Sequence, residues 1–183
     1  MDSQLPNDPC GDKELYYQII ENLATPTFAI NTDHKVILWN KACERLTGAS
    51  AQEMIGTDKQ WAPFYNYKRP TVSDLVIDHK PDDMGKFYSN FSLNKSVIEG
   101  GWEAEGWYEN LGGKKRYIFF TALPIQNAQG EVIAAVETLE DITARVEEHE
   151  ESVRMNLIMV DRELKMVELK KEVERLQKLT ETK

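Results

Sequence analysis

The chain has 183 residues, 41% of them hydrophobic, which suffices for one well-packed domain plus an extension and is too few for two ordinary domains. Its 31 acidic and 22 basic residues give a net charge of −9, which argues against a nucleic-acid surface, since phosphate binding needs a concentrated excess of Lys and Arg. No apolar run approaches the ~18 residues that span a bilayer, and the start MDSQLPNDPCGDKEL lacks the basic and apolar regions of a signal peptide.

Residues 1–12, with Pro6, Pro9 and Gly11, read as a flexible lead-in. DKELYYQIIENLATP then places Leu15, Ile19, Ile20 and Leu23 on one helical face, with Asp12 as a cap and Pro26 beyond the end. TFAINTDHKVILWN holds two strand-like runs around Thr32, Asp33 and His34, the pattern of a hairpin. Asn40 suits the cap of a helix over KACERLT, which Gly48 would end in a left-handed conformation. Ser50 and Glu53 form a capping-box pattern for another short helix.

Residues 57–101 are the least regular stretch, with aromatics, a helical run TVSDLVID and little strand patterning. A connection of this length is usually functional or carries structure of its own. WEAEGWYENL, KRYIFFTALPIQN and EVIAAVETLEDIT follow as three strand-like runs, and Gly112-Gly113 and residues 127–130 supply the turns of an antiparallel meander.

From Ala144 to Lys183 there is no Pro or Gly, so one helix of about 40 residues is expected. Val153, Leu157, Val160, Leu164 and Val167 repeat at alternating spacings of four and three, a heptad seam. Met166, Leu169, Val173 and Leu176 repeat likewise but displaced by two residues, which predicts a bend or register change near 164–169. A long soluble helix buries such a stripe against another chain or its own domain, and a homodimer is the sharper expectation.

TPTFAINTDHKVILWNKACERLTGASAQEMIG resembles the opening of a PAS domain, and FFTALPIQNAQGEVIAAVETLEDITAR resembles its last two strands with the Asp-Ile-Thr signature that often precedes a signalling helix. The resemblance covers roughly residues 13–145. KQWAPFYNYKRPTVSDLVID resembles an insert of a PAS subgroup common in bacterial sensor kinases and diguanylate cyclases, and DRELKMVELKKEVERL resembles signalling-linker helices. It implies an α+β fold: a five-stranded antiparallel sheet with short flanking helices around a ligand or cofactor cavity, over 13–143, then a signalling helix over 144–183.

By the same resemblance, Asp141 stays near the sheet's end and pairs with a basic or backbone group, Arg116 or Lys115 being the candidates, and Thr143 caps the outgoing helix. Thr is a good cap, and Glu147 and Glu148 favour a helix N-terminus. Asp141 as a mere cap and turn residue stays an alternative. Alternation puts Ile133, Ala135, Glu137 and Leu139 on one face, which comparison with PAS domains turns toward the cavity. Glu137 is the odd member, because a carboxylate among apolar neighbours needs a partner or a raised pKa. A cationic or hydroxylated ligand, or a neighbouring side chain, would supply one. Trp61, Phe64, Tyr65, Tyr67, Lys68 and Arg69, followed by Phe87, Tyr88 and Phe91, suit either a small-molecule lid in which Arg69 forks onto a carboxylate or a secondary hydrophobic cluster.

The cofactor is left unknown. Cys10 and Cys43 stand apart, which fits a reducing, cytoplasmic compartment, and neither lies in the segment that flavin adduct chemistry requires. Haem would depend on His79 alone, beside Lys and Asp; His34 sits in a turn; zinc has no Cys/His constellation. No P-loop, nucleophile elbow or zincin motif points to an enzyme, and His149-Glu150 lacks the Arg, Thr and Pro usual after a kinase phosphoacceptor. The expected function is therefore a sensor that binds a small ligand and relays occupancy through a dimeric helix to an effector or kinase partner. The alternatives are a ligand-free interaction module and the sensor fragment of a sensor kinase or diguanylate cyclase. In the first case the two-residue seam displacement is a candidate bistable element.

Overall fold

The computed structural model describes residues 13–93 and 100–181, with side chains as far as Lys171. The lead-in 1–12, Cys10 and the side chains of Val173 and Leu176 lie outside the described residues. Two compact units divide the chain, residues 1–142 and 143–183.

The first unit opens with α1 (Lys13–Glu21), whose Leu15 and Ile19 are exposed within the chain. β1 (Thr27–Asn31) and β2 (Val36–Trp39) form the expected hairpin. Asn40 then starts α2 (Lys41–Thr47), and all of its amide atoms are used. Oδ1 accepts from the amides of Cys43 (2.9 Å) and Thr27 (3.0 Å), and Nδ2 donates to the carbonyls of Ile20 (3.2 Å) and Thr25 (3.0 Å). One buried side chain thereby caps a helix and pins the start of the first strand. α3 (Ala51–Met54) carries the full Ser50–Glu53 capping box.

The long connection holds α4 (Val72–Ile77), a 3-10 turn at Pro81–Asp83, α5 (Met84–Phe87) and β3 (Asn90–Leu93). β4 (Trp102–Leu111), β5 (Lys114–Gln126) and β6 (Val132–Asp141) complete the unit. The strands form one antiparallel sheet in the order β2-β1-β6-β5-β4-β3. Among the described residues the sheet thus has six strands, not five. The sixth, β3, is an edge strand whose Asn90–Leu93 pair with Glu105–Trp102, and its sequence NFSL carries no alternation that announces it.

Ile133 also departs from expectation. Ile125 pairs with Ala134 while Gln126 pairs with Val132, so Ile133 is an extra residue in the ladder and is exposed. Ala135, Glu137 and Leu139 remain buried, facing Phe28, Trp39, Leu75, Met84 and Phe120 in one core. The turn between β4 and β5 closes this core at one corner. Gly112 has φ 59°, and a Cβ there would lie 2.3 Å from the Leu46 carbonyl oxygen, so only glycine fits.

The second unit is α6 (Thr143–Glu181), 39 residues of unbroken helix. Thr143 is its first helical residue. The helix runs without a break through residues 164–169. Val153, Leu157, Val160, Leu164 and Val167 are 44–66% exposed, as are Met166 and Leu169 within that range. Among the described residues no helix is long and apolar enough to cross a membrane.

Candidate functional site

Glu137 is central to the interior. It lies in the middle of β6, opposite Phe28 on one side and Ala122 on the other, and is 1% exposed. Its Oε2 accepts from the backbone N–H of Ser73, 2.8 Å away, in the first turn of α4. A helix start presents unpaired amides, so the strand's one buried carboxylate finds a donor that the fold must satisfy in any case. Burial nevertheless dominates, and it pushes the Glu137 carboxyl up to about 7; the Ser73 hydrogen bonds pull the other way, and the neighbouring Asp74 charge adds to the rise.

Asp74, one residue further along α4, gathers several donors. Oδ2 accepts from the amide and the hydroxyl of Thr71, both at 2.8 Å. Oδ1 is 2.7 Å from Gln60 Nε2 and 2.7 Å from His34 Nδ1, the latter reaching in from the β1–β2 turn. His34 Nε2 lies 3.1 Å from Asp78 Oδ1 at the end of α4. These groups form one side of a cleft of about 470 Å³ that Asp58, Trp61, Lys68 and Arg69 also line.

Arg69 and the aromatic side chains of Phe64, Tyr65, Phe87, Tyr88, Tyr108 and Phe120 form a second cluster. The Arg69 guanidinium carbon lies 4.0 Å from the ring centre of Tyr65, 4.8 Å from that of Tyr88 and 5.2 Å from that of Phe87, and Nη2 donates to the Phe87 carbonyl at 2.7 Å. The Tyr65 hydroxyl is 2.9 Å from that of Tyr108 and 3.4 Å from that of Tyr88. Desolvation raises all three phenols above their ordinary range. Phe64 meets Tyr108 and Phe120 edge-on, with centroids 5.8 and 5.6 Å apart. Gln60 Oε1 and Arg69 Nε are buried and have no hydrogen-bond partner.

The sequence candidates therefore sort by position. Tyr65 and Arg69 stand together with Tyr88 and Phe87, and Glu137 reaches α4. Ala135 and Leu139 are buried in the core beside it. Trp61 lines the cleft with its indole N–H on the Asp58 carbonyl at 3.1 Å, while Tyr67 and Phe91 are exposed. Asp141 pairs with Arg116, whose Nε also donates to the Leu111 carbonyl at 3.1 Å; Lys115 instead pairs with Glu109 at 2.8 Å. Ile142 follows, its amide on the Tyr117 carbonyl at 2.9 Å. His79 is exposed in a left-handed turn after α4. Among the described residues no cluster of three or more His, Cys, Asp or Glu is arranged to hold a metal.

Sequence reasoning missed Ser73, Asp74, Gln60 and Tyr108. Thr71-x-x-Asp74 has capping-box spacing and was the available signal for Asp74; the others have none, because their partners lie 14 to 64 residues away.

Solved structures share the fold at low identity. A structure of an RNA-binding light-oxygen-voltage receptor is 15% identical, with a TM-score of 0.55 over 85% of this chain, which spans only 41% of that one. The PAS domain of BvgS from Bordetella pertussis is 15% identical with a TM-score of 0.46, over 78% of this chain and 96% of that one. A PAS domain from Colwellia psychrerythraea is 20% identical with a TM-score of 0.47, over 72% of this chain and 97% of that one. No match was found among curated proteins. A family model of the PAS domain matches residues 25–144, from the hairpin to the start of α6, and the chain belongs to the PAS domain family, whose members are generally sensory modules of signalling proteins.

Proposed function

We propose that this chain is a cytoplasmic sensory module that takes its input at α4 and the polar groups around it, and relays it through α6 paired with a second copy. One observation carries the reading: Val153, Leu157, Val160, Leu164 and Val167 form a heptad seam on an unbroken helix and are exposed within the chain. A seam of this kind is self-complementary, and a second copy offers the matching face. The input side is supported by the contact from Glu137 to Ser73, which ties the strand preceding α6 to the start of α4. A ligand for that input would be small and polar, able to accept from Arg69 Nε or donate to Gln60 Oε1, two of the three buried side-chain atoms that have no partner among the described residues. The reading assigns the chain no catalytic step; an effector or kinase partner, or further domains of a longer protein, would receive the signal. Sedimentation equilibrium tests the pairing. A mass of twice 21.1 kDa that reverts to 21.1 kDa in Leu157→Asp/Leu164→Asp supports it, and a wild-type monomer at tens of micromolar refutes it.

A second reading, an interaction module without ligand, is favoured by the packing of Phe64, Tyr65, Tyr108 and Phe120 across the inner face, where a ligand would otherwise sit. Native mass spectrometry of gently purified protein separates the two: a bound small molecule favours the sensor, and its absence across preparations favours the interaction module.

A further inference from the structure

A second titratable group holds α4 from the β1–β2 turn. His34 has φ 58°, a left-handed conformation in which histidine is one of the few enriched side chains. Its two ring nitrogens face two carboxylates of one helix, Asp74 at 2.7 Å and Asp78 at 3.1 Å. Those residues are four positions apart, about one helical turn, so the ring bridges the beginning and the end of α4.

Carboxylates only accept hydrogen bonds, so both contacts are satisfied together only when both ring nitrogens carry protons. A neutral imidazole donates from one nitrogen and turns a lone pair toward the second carboxylate. Which contact survives follows from the surroundings. Asp74 is fixed by Thr71 and Gln60 as well, and its contact is the shorter. Asp78 has Lys80 as its other partner, at 2.8 Å, and can follow it away from the ring.

The remaining charges near the ring include both signs. Asp33 and Lys35 flank it on its own turn. Asp58 and Lys68 reach the cleft as a pair at 2.6 Å, with Lys35 a further 3.8 Å from Asp58, and Arg69 lines the same cleft. The His34 side chain is 34% exposed there, so solvent protons reach it directly. Histidine is also the side chain whose ordinary ionisation falls nearest neutrality.

We propose that His34 is a proton-operated latch on α4: protonated, it holds Asp74 and Asp78 at once; neutral, it keeps Asp74 and releases the Asp78 end. The inference rests on α4 as the input element of the sensor and is independent of α6 pairing.

The test is an NMR titration of the full chain from pH 5.5 to 8.5, following the His34 ring nitrogens and the protection of the Asp78 amide, which donates to the Asp74 carbonyl at 3.0 Å. That amide lies at the far end of α4 from Ser73, which keeps the readout away from the Glu137 carboxyl. Protection is expected to fall about tenfold, corrected for intrinsic exchange, as the ring loses its second proton. In Asp78→Asn the new amide can donate to a neutral ring, so the change is expected to vanish while the fold remains. His34→Asn, which tolerates the left-handed backbone, is expected to give low protection at every pH. An Asp78 amide indifferent to pH in the wild type, or a dependence that persists in both variants, overturns the proposal. Repeating the titration in Leu157→Asp separates a failed latch from a failed pairing, since the latch is expected to be unchanged there.

Discussion

Replacing Glu137 by Gln isolates the cost of burying its carboxylate. Folded, this carboxyl holds its proton up to about pH 7, whereas its ordinary value is 4.5, and burial is the main cause. The folded chain therefore binds more protons than the unfolded one between those values, and stability falls as pH rises through that window, levelling off above it. Between pH 5 and pH 8 the loss from this one group is on the order of 2–3 kcal/mol, since each tenfold change in proton affinity is worth about 1.4 kcal/mol. Gln keeps the acceptor oxygen for the Ser73 amide and removes the ionisation. The difference in unfolding free energy, wild type minus Glu137→Gln, is thus expected to drop by roughly 2–3 kcal/mol from pH 5 to pH 8. Urea unfolding read by tryptophan fluorescence suits the measurement, because all four tryptophans, Trp39, Trp61, Trp102 and Trp107, lie in the PAS unit. Parallel stability profiles for the two proteins would refute the reasoning, as would a variant that weakens more at pH 8 than the wild type does.

Other substitutions probe the scaffold around the site. Asn40→Ala removes a helix cap and the partners of three further backbone groups, and is expected to cost about 3 kcal/mol in the same unfolding assay. Gly112→Ala forces a Cβ against the Leu46 carbonyl and is expected to cost more than about 2 kcal/mol, while Gly113→Ala, with open space around it but a left-handed φ of 80°, should cost about 1 kcal/mol. Equal losses at the two glycines would contradict the close-approach argument. Arg69→Met takes the cation from between three aromatic rings and leaves the Phe87 carbonyl without its donor; a loss of about 2 kcal/mol is expected, and an unchanged midpoint would mark the cluster as loosely held.

Much of this architecture was legible because it is local. Asn40, Gly48 and the Ser50–Glu53 pair act within a few residues of themselves, and the three long strands announce themselves by β-rich runs between glycine turns. What failed is long-range. β3 exists because β4 offers an edge to pair with, not because NFSL favours a strand. Ile133 fell on the wrong face because one extra residue in the ladder resets the alternation, which no periodic pattern reveals. Glu137 stood out as a carboxylate in an apolar stripe, yet its partner at Ser73 is 64 residues distant, and the reach of His34 to Asp74 spans 40. Topology, not spacing, brings those groups together.

The central claim, that events at the Glu137–α4 contact reach a paired α6, is tested most directly by the distance between the two copies of that helix. A spin label at Met155, on the side of the helix away from the seam, in a chain carrying Cys10→Ser, reports it by double electron–electron resonance. A dipolar signal between copies is expected, with a distance distribution that differs between pH 5 and pH 8 in His34→Asn and no longer differs in His34→Asn/Glu137→Gln. No dipolar signal, or one distribution common to both pH values and both proteins, would contradict it.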